Sequence, residues 1–323
     1  MMTPVVLIAY NRPDALKTAL EALAANELAA RTDLYVRIDG PKGEKDAEKV
    51  EAVRAVAREA QGFRSVEVFC APENRGLAAS VIAGVERVLE VSETVIVVED
   101  DLVVSRGFLA YMNQALERYA SEPMVFSVCG YSNRISVPEG YGYDAYFAPR
   151  SSSWGWGTWK DRWESVDWNP TPASLQKNAR SFNRWGGSDC AKMLRDWMER
   201  RNQSWAIRFC YSQFLQGKVA LFPIRSLVDP SAGFAGDGTN CRKYSRFKFD
   251  FDPDGGAAFR FPSEVEVVDS FRRSALRYHS TLRRAWSRLT YLIYGYTTAV
   301  LSAVPVPGFP PCGDGDGILP GRP

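Results

Sequence analysis

Three adjacent carboxylates, Glu99, Asp100 and Asp101, follow a run of β-branched and apolar residues over 94–98. Such a run, without polar alternation, is typical of a central parallel strand, and ligands bind at the carboxyl ends of these strands. Acids in that position repel one another and lose solvation unless a cation stabilises them. Their oxygens suit Mg²⁺ or Mn²⁺, which bind through one or two carboxylates together with substrate phosphates. The triplet therefore predicts a metal and nucleotide site.

Alternation along the strand predicts Glu99 and Asp101 on one side and Asp100 on the other. This division favours one carboxylate at the metal and another at a sugar or ribose hydroxyl. The alternative is that the acids cap a helix predicted over 107–119. The triplet lies too far upstream of that helix for capping to account for all three acids.

Further polar residues follow the neighbouring apolar runs. Tyr10, Asn11 and Arg12 end the run that begins at Val5, and Asp39-Gly40 ends a run over 34–38. The guanidinium of Arg12 suits a phosphate, and Asp39 suits the imino group of a base. The segment Asn74-Arg75-Gly76 opens a helix, where glycine lets the backbone approach a ligand. Each motif alone is also compatible with a simple cap or turn.

The order of the predicted elements brings these residues together. Four successive strand-then-helix units predict a doubly wound α/β domain with a mainly parallel sheet. All the polar motifs then fall at carboxyl ends of strands, at one edge of that sheet. The chain has neither a Gly-x-Gly-x-x-Gly fingerprint nor a P-loop, which disfavours a dinucleotide oxidoreductase or a P-loop enzyme.

The composition is that of an ordinary globular protein. The 323 residues carry a net charge of +2, which argues against a nucleic-acid binder. The single histidine, His279, leaves little basis for a Ser-His-Asp mechanism. Six scattered cysteines predict reduced thiols, and the N-terminal run is too short for a signal peptide, so we expect a cytoplasmic protein.

Together, the motifs at Val5 to Arg12, Asp39-Gly40, Asn74 to Leu77 and Glu99 to Asp101 resemble the nucleotide-sugar half of GT-A fold glycosyltransferases. Within that class the chain is similar, up to about Cys241, to bacterial relatives of the N-acetylglucosaminyltransferase I type, which carry a Glu-Asp-Asp motif. The resemblance implies a Rossmann-like, mostly parallel sheet with helices on both faces. It also implies these roles: a uracil-type base at Asp39, the nucleotide along Arg12 and Arg75, the donor sugar at Glu99, ribose or sugar at Asp100, and Mn²⁺ or Mg²⁺ at Asp101.

A tryptophan-glycine segment over 150–159 follows two further predicted strands. Trp154, Gly155 and Trp156 are predicted to form a stacking wall for a donor or acceptor sugar, because aromatic faces pack on apolar C–H surfaces. The alternative is that these tryptophans belong to the core. The resemblance favours the wall, since a similar segment borders the sugar pocket in the family.

The catalytic base is missing from its expected place. In the family it is an acid in an aromatic segment that corresponds to residues 204–209, which here contains Ala206, Ile207 and Arg208. The base is therefore predicted among other acids, with the candidates Asp161, Glu164, Asp189 and Asp237. The glycine-rich stretch over 228–240 is predicted to be a lid over the nucleotide or an ordinary surface loop.

The character of the chain changes after Phe271. Arginines alternate with apolar residues in helical fashion, and 289–309 is free of charge. This pattern favours attachment to a membrane surface, with a helix packed on the catalytic domain as the alternative. We expect a GT-A domain over 1–270, with a nucleotide-sugar half (1–104) and an acceptor half (105–270). A helical extension (271–309) and a disordered tail (310–323) follow.

The sequence thus predicts a metal-dependent, inverting glycosyltransferase. The expected donor is a nucleotide sugar, with UDP favoured, and the expected acceptor is a glycan or a lipid-linked glycan of the bacterial cell surface. The expected place is the cytoplasm, on the inner face of the cell membrane. A nucleotidyltransferase, or an inactive transferase-like protein that binds nucleotide or glycan, is the alternative.

Overall fold

The computed structural model describes residues 2–234, 247–287 and 289–290. The predicted base Asp237, most of the predicted lid, the uncharged segment 291–309 and the predicted tail 310–323 lie outside the described residues. The cysteines that are described, Cys70, Cys129, Cys190 and Cys210, are free thiols.

The described residues form ten strands: β1 (Val5–Ala9), β2 (Asp33–Ile38), β3 (Ser65–Cys70), β4 (Thr94–Glu99), β5 (Val103–Val104), β6 (Val125–Cys129), β7 (Ala145–Ala148), β8 (Trp156–Trp159), β9 (Val219–Pro223) and β10 (Val228–Asp229). Eight of them form one sheet in the order β3-β2-β1-β4-β8-β6-β9-β7, while β5 and β10 pair separately. Six strands of the large sheet run in one direction, and β8 and β7 run against them.

The described helices are α1 (Pro13–Ala24), α2 (Glu44–Arg58), α3 (Gly76–Leu89), α4 (Phe108–Arg118), α5 (Lys160–Glu164), α6 (Pro172–Gly186), α7 (Cys190–Met198), α8 (Trp205–Leu215) and α9 (Asp269–Tyr278). Alternate residues of β4 divide between the two faces of the sheet, as the period of a strand requires. Ile96 and Val98 belong to the same hydrophobic cluster as residues of α1, α2 and α4. Val95 and Val97 pack with α3 and α8. The predicted α/β class, with a mostly parallel sheet and helices on both faces, is confirmed.

Strand β8 is the main departure from the expected topology. It enters the middle of the sheet and pairs antiparallel with both β4 and β6. Its sequence, Trp-Gly-Thr-Trp, shows none of the aliphatic character that identifies β1 and β4. Gly157 suits this central position, because a Cβ there would lie 2.8 Å from the carbonyl oxygen of Val95.

The C-terminal helix α9 packs on the sheet. Phe271 is fully buried and lies between Tyr146 of β7 and Tyr141, with ring centroids 4.7 and 4.8 Å away. A second helical stretch covers 281–287. Within the described residues, no helix combines the length and the apolarity needed to cross a bilayer.

Candidate active site

The polar motifs meet at one edge of the sheet. Strands β2, β1 and β4 are neighbours and parallel, so Asp39 and Tyr10 follow β2 and β1 side by side, and Glu99 ends β4 opposite Ile8. Pro13, at the start of α1, turns the chain away from this edge, since its fixed φ suits the first turn of a helix. The result is a crevice at the carboxyl ends of the parallel strands, where ligands bind in open α/β sheets.

Arg12 holds the acidic motif together. Its Nη2 donates to Oδ1 of Asp100, and its Nη1 donates to Oδ2 of Asp101 over 3.1 Å. This contact with both aspartates differs from the predicted alternation, because β4 ends at Glu99 and the chain turns at the next two residues. Asp100 is 3% exposed, whereas Asp101 is 16% exposed and faces the crevice. Oδ1 of Asp101 forms no hydrogen bond with a described residue.

Burial and mutual repulsion govern the electrostatics of the triplet. Burial raises the pKa of Glu99 to about 8, and the charges of Asp101 and Asp100 add to this increase. Burial also raises the pKa of Asp100 to about 6, although Arg12 opposes the shift. Within the described chain, the Glu99 carboxylate forms neither a hydrogen bond nor an ion pair, and only the backbone of Glu99 is bonded, its carbonyl accepting from the Leu102 N–H over 3.2 Å. The motif therefore carries more negative charge than Arg12 alone neutralises.

Asp39 is the polar anchor of the crevice. Its Oδ1 accepts hydrogen bonds from the backbone N–H groups of Gly40 and Arg75, at 3.0 and 2.9 Å. Its Oδ2 accepts from Asn74 Nδ2 and from the Gly76 N–H, at 3.0 and 2.8 Å. The carboxylate thus caps the start of α3, where unpaired N–H groups favour an anion. The predicted contact of Asp39 with a base stays a prediction, and a base would have to share these oxygens.

Two other predicted residues reach across the crevice to α2. The hydroxyl of Tyr10 donates to Oδ2 of Asp46 over 2.6 Å, and Nδ2 of Asn11 donates to Oδ1 over 3.2 Å. Burial and the charge of Asp46 raise the pKa of Tyr10 to about 12. Lys42 lies over the tyrosine ring, 5.6 Å from its centroid. Residues 10–12 are therefore fixed on both sides, with the phenol and the amide held by α2.

The residues around Asp101 suit a divalent cation completed by phosphate. A Cβ at Gly233 would lie 2.8 Å from Oδ2 of Asp101, so glycine keeps the space beside this carboxylate open. No three metal-ligating side chains cluster within the described part of the chain. The donor set on this edge is carboxylate oxygen, which suits Mg²⁺ and Mn²⁺ bound partly through a ligand's phosphates.

The tryptophan segment divides between the core and the crevice. Trp156 is 1% exposed and stacks with Trp205, with ring centroids 4.9 Å apart. The prediction that Trp156 forms a sugar wall is therefore wrong, because its ring lies within the sheet's aromatic core. Gly155 adopts a φ of +63°, and a Cβ there would meet the side chain of Val228. Trp154 lies nearer the surface and packs edge-to-face on Tyr131 at 4.7 Å.

The predictions of a base at Asp161 or Glu164 are wrong. Trp159, which precedes their helix α5, pairs with Thr94 at the start of β4, and Lys160 donates its N–H to Glu93. The acidic motif follows the other end of β4, about 20 Å away at 3.3 Å per residue. The antiparallel direction of β8, which the sequence did not indicate, places both acids at the opposite edge of the sheet.

Asp189 is buried in an ion pair. It accepts from Arg150 Nη1 over 2.9 Å, and His279 Nδ1 lies 3.7 Å from its other oxygen. Burial raises its pKa, but the charge of Arg150 and the neighbouring His279 outweigh burial and hold the pKa far below its usual range. Asp189 therefore joins α7 to the segment after β7 and to the end of α9.

Asp229 is an acid of the crevice that the sequence analysis missed. It pairs with Val103 in the small β5–β10 sheet, two residues beyond Asp101. Its Oδ1 accepts from the Ser231 N–H over 2.8 Å. Burial raises the pKa of Tyr131, and the nearby charge of Asp229 adds to this increase. The only local signal was an acid in a turn-rich stretch, because the pairing of β10 with β5 is a long-range contact.

Known proteins resemble the chain at the level of family and fold. A family model for glycosyl transferase family 2 matches residues 5–200, more than half of the chain. No curated protein sequence matches significantly. Similar solved structures include galactosyltransferase LgtC with donor and acceptor sugar analogues (11% identity, TM-score 0.37, 68% of this chain and 73% of that chain). Others are S. aureus TarS 1–349 with UDP (12%, 0.38, 72% and 62%) and UDP-glucose pyrophosphorylase with UDP-glucose (8%, 0.35, 69% and 90%). The match over residues 5–200 shows that the chain belongs to glycosyl transferase family 2.

Proposed function

We propose that this glycosyltransferase moves a sugar from a nucleotide-sugar donor, with UDP as the favoured nucleotide, to a glycan or lipid-linked acceptor. The observation that carries the proposal is the meeting of Arg12, the acidic motif and the Asp39 anchor at the carboxyl ends of three adjacent parallel strands. Such a crevice combines a guanidinium for phosphate with carboxylates for hydroxyl groups, as a nucleotide requires.

We further propose that the activity depends on Mn²⁺ or Mg²⁺ at Asp101. The open space beside Gly233 supports this site, as does Oδ1 of Asp101, which has no hydrogen-bond partner among the described residues. A bound cation would supply charge neutralisation for the leaving nucleoside diphosphate. Arg12 would hold Asp100 and Asp101 in place and prevent their repulsion from opening the loop. Asp100 and Glu99 would then accept hydrogen bonds from hydroxyl groups of the ribose or the donor sugar.

Inversion at the anomeric carbon requires a carboxylate that takes the proton of the acceptor hydroxyl. Asp229 stands at the same edge as Asp101, and its Oδ2 forms no hydrogen bond within the described chain. Asp237 lies outside the described residues and stays a second candidate. The transfer rates of Asp229→Asn and Asp237→Asn would separate the two, because removal of the base lowers the turnover number rather than the affinity for the donor.

The biological setting is also a proposal. The resemblance to the N-acetylglucosaminyltransferase I type and the basic C-terminal region support work on a bacterial cell-surface polysaccharide or glycolipid. The C-terminal region would hold the enzyme peripherally on the inner face of the cell membrane. Exposed Leu282 and Trp286, beside Arg283 and Arg284, support that placement.

A thermal-shift experiment tests the central proposal. UDP, GDP, CMP and dTDP are each added with and without Mn²⁺, because a ligand that binds the folded state alone raises the melting temperature. We expect UDP with Mn²⁺ to give the largest increase. At a concentration 100 times its Kd, a ligand adds about 2.7 kcal/mol to the free energy of unfolding. A melting temperature that no nucleotide changes would contradict the proposed function.

A further inference from the structure

A cavity beside the candidate active site has no role in the nucleotide crevice. Its volume is about 230 Å³, and it lies between the segment that leads into β8, the first turns of α8 and the end of α9. Trp154 and Tyr131 form its wall towards the crevice, and both pack against the same core as Val104 and Val228 of the β5–β10 pair. Leu227 donates its N–H to the Gly130 carbonyl, and Gly130 donates its N–H to the Gly155 carbonyl, so this wall lies beside strand β10, which carries Asp229.

The cavity wall combines aromatic rings with hydroxyl groups. Tyr131 and Trp154 meet edge-to-face at 4.7 Å, and Tyr146 stacks on Phe222 at 5.6 Å. Three consecutive serines, at 151–153, line the same space. Ser151 donates to Gln213, whereas the hydroxyl of Ser153 forms no hydrogen bond within the described chain. This pairing of apolar faces with hydroxyl groups matches a sugar ring, which has C–H faces and a hydroxyl rim.

The charges around the cavity select an uncharged occupant. Among the described lining residues, the only Arg, Lys, Asp, Glu or His are Arg150 and His279. Arg150 is already paired with Asp189 at 2.9 Å and also donates to the Gly186 carbonyl. A carboxylate or phosphate in the cavity would have to compete with Asp189 for a guanidinium that is 16% exposed. A negatively charged sugar would therefore find no unpaired guanidinium or ammonium group among the described lining residues.

The size of the cavity limits the occupant to a small group. Pockets that enclose drug-sized ligands occupy roughly 300–1,000 Å³, more than the volume available here. A single pyranose ring fits this limit, whereas an oligosaccharide or a polyprenyl chain does not. Several walls come from α8, β9 and α9, which lie beyond the residues 5–200 that the family model matches.

We propose that this cavity binds one uncharged sugar ring, the terminal residue of the acceptor, between Tyr131, Trp154 and the serines at 151–153. The inference rests on the proposed glycosyltransferase function and names the chemical class of its acceptor. The specificity for the acceptor then resides in the part of the chain beyond residue 200, separate from the nucleotide crevice.

Saturation-transfer NMR with UDP and Mn²⁺ present tests this inference. The probes are the methyl glycosides of glucose, galactose, mannose and N-acetylglucosamine, with methyl glucuronide and octyl glucoside as comparisons. We expect at least one neutral methyl glycoside to bind, and methyl glucuronide to bind about tenfold more weakly than methyl glucoside or not at all. Binding of glucuronide as tight as that of the neutral glycosides, or binding of the octyl compound alone, would overturn the inference.

Variants that fill the cavity locate the binding. Ala206→Phe, from α8, and Ser153→Phe, from the serine segment, should each weaken the best glycoside about tenfold or more. Ala55→Phe, on the exposed face of α2, is the matched control and should leave its affinity unchanged. Circular dichroism confirms that each variant is folded, and two positions keep the test valid if one variant fails. Unchanged affinity in a folded Ala206→Phe or Ser153→Phe chain would contradict the cavity as the binding site.

The same samples separate this inference from the proposed function. If UDP with Mn²⁺ stabilises the wild-type chain but no glycoside binds, the cavity inference fails while the nucleotide-sugar proposal stands. If no nucleotide stabilises the chain, the proposed function itself fails.

Discussion

Arg12 is the residue on which the charge balance of the candidate site depends. It contacts two carboxylates at once. Burial alone would lower the pKa of Arg12, but the charges of Asp100 and Asp101 outweigh burial and raise the pKa overall. Truncating one partner of such a pair leaves the other charge buried and uncompensated, which is why the motif acts as a unit. The most informative variant therefore keeps the shape of a side chain in this motif and removes its charge.

Asp101→Asn is such a variant. It keeps the size of the side chain but removes the charge proposed to hold the cation. We expect sugar transfer to fall about 100-fold or more, because a bound cation contributes several kcal/mol to the stability of the transition state. The extra thermal shift given by Mn²⁺ in the presence of UDP should disappear. Asp161→Asn, an exposed acid at the opposite edge of the sheet, is the control. Wild-type transfer in the Asp101 variant would show that the cation, if any, binds elsewhere.

Asp39 permits a second test, of stability. In Asp39→Asn one oxygen is replaced by an amide NH₂ group. This group cannot accept the hydrogen bonds that Asn74 Nδ2 and the Gly76 N–H donate to Asp39. We expect the free energy of unfolding in urea to fall by about 2–3 kcal/mol, since hydrogen bonds to a charged group contribute about 1.5–3 kcal/mol each. Glu73→Gln, exposed in the same loop, should change it by less than about 0.5 kcal/mol. Equal free energies of unfolding for Asp39→Asn and Glu73→Gln would show that Asp39 does not anchor the start of α3.

Among the secondary-structure elements, those that the sequence predicted best are the ones defined by local patterns. Strands β1 and β4 are continuous apolar runs, and the acidic motif at the end of β4 lies at the predicted edge of the sheet, although both aspartates contact Arg12. Strand β8 could not be predicted in this way, because its Trp-Gly-Thr-Trp sequence becomes a strand only through its pairing with β4 and β6. The same pairing is the reason why the predictions for Trp156, Asp161 and Glu164 are wrong.

The ion pair of Asp189 with Arg150 is also a contact between secondary-structure elements, since it joins α7 and α9 to the segment after β7. An unfolded aspartate has a pKa of about 3.9. Because the folded pKa of Asp189 is lower, the unfolded state binds more protons in acid. The stability that the pair contributes is therefore complete above the unfolded pKa and is lost as the pH falls through the folded pKa.

Asp189→Asn should remove this dependence on pH. We expect the free energy of unfolding of the wild type to fall between about pH 5 and pH 3, and that of the variant to change less over the same range. Urea melts at half-unit pH intervals measure both curves. Asp252→Asn, which removes one partner of the more exposed ion pair with Arg225, should keep the slope of the wild type. Parallel curves for the wild type and Asp189→Asn would show that the pair does not govern acid stability.

For the molecule as a whole, we propose that the C-terminal region determines where the enzyme works. Helix α9 packs on the sheet through Phe271, so the first turns of the basic region belong to the catalytic domain. The apolar side chains of Leu282, Trp286 and Leu289, which follow it, are 84%, 65% and 49% exposed. Their spacing of four and three residues places them on one face of a helix. No acidic residue occurs between Asp269 and Asp314, so this face is flanked by positive charge alone.

A basic helix with an exposed Leu-Trp-Leu face fits an anionic bilayer, in which tryptophan lies at the headgroup level and each arginine contributes about 1 kcal/mol. We expect the full chain to cosediment with phosphatidylglycerol vesicles and to bind phosphatidylcholine weakly, with the difference shrinking at high salt. Trp286→Ser with Leu282→Ser should weaken the binding about tenfold, since a large buried apolar side chain contributes about 1.5–3 kcal/mol. The pair Leu77→Ser and Val91→Ser, exposed on the catalytic domain, is the control. If the wild type binds both vesicle types equally, or if the double variant binds as the wild type does, attachment does not depend on this face.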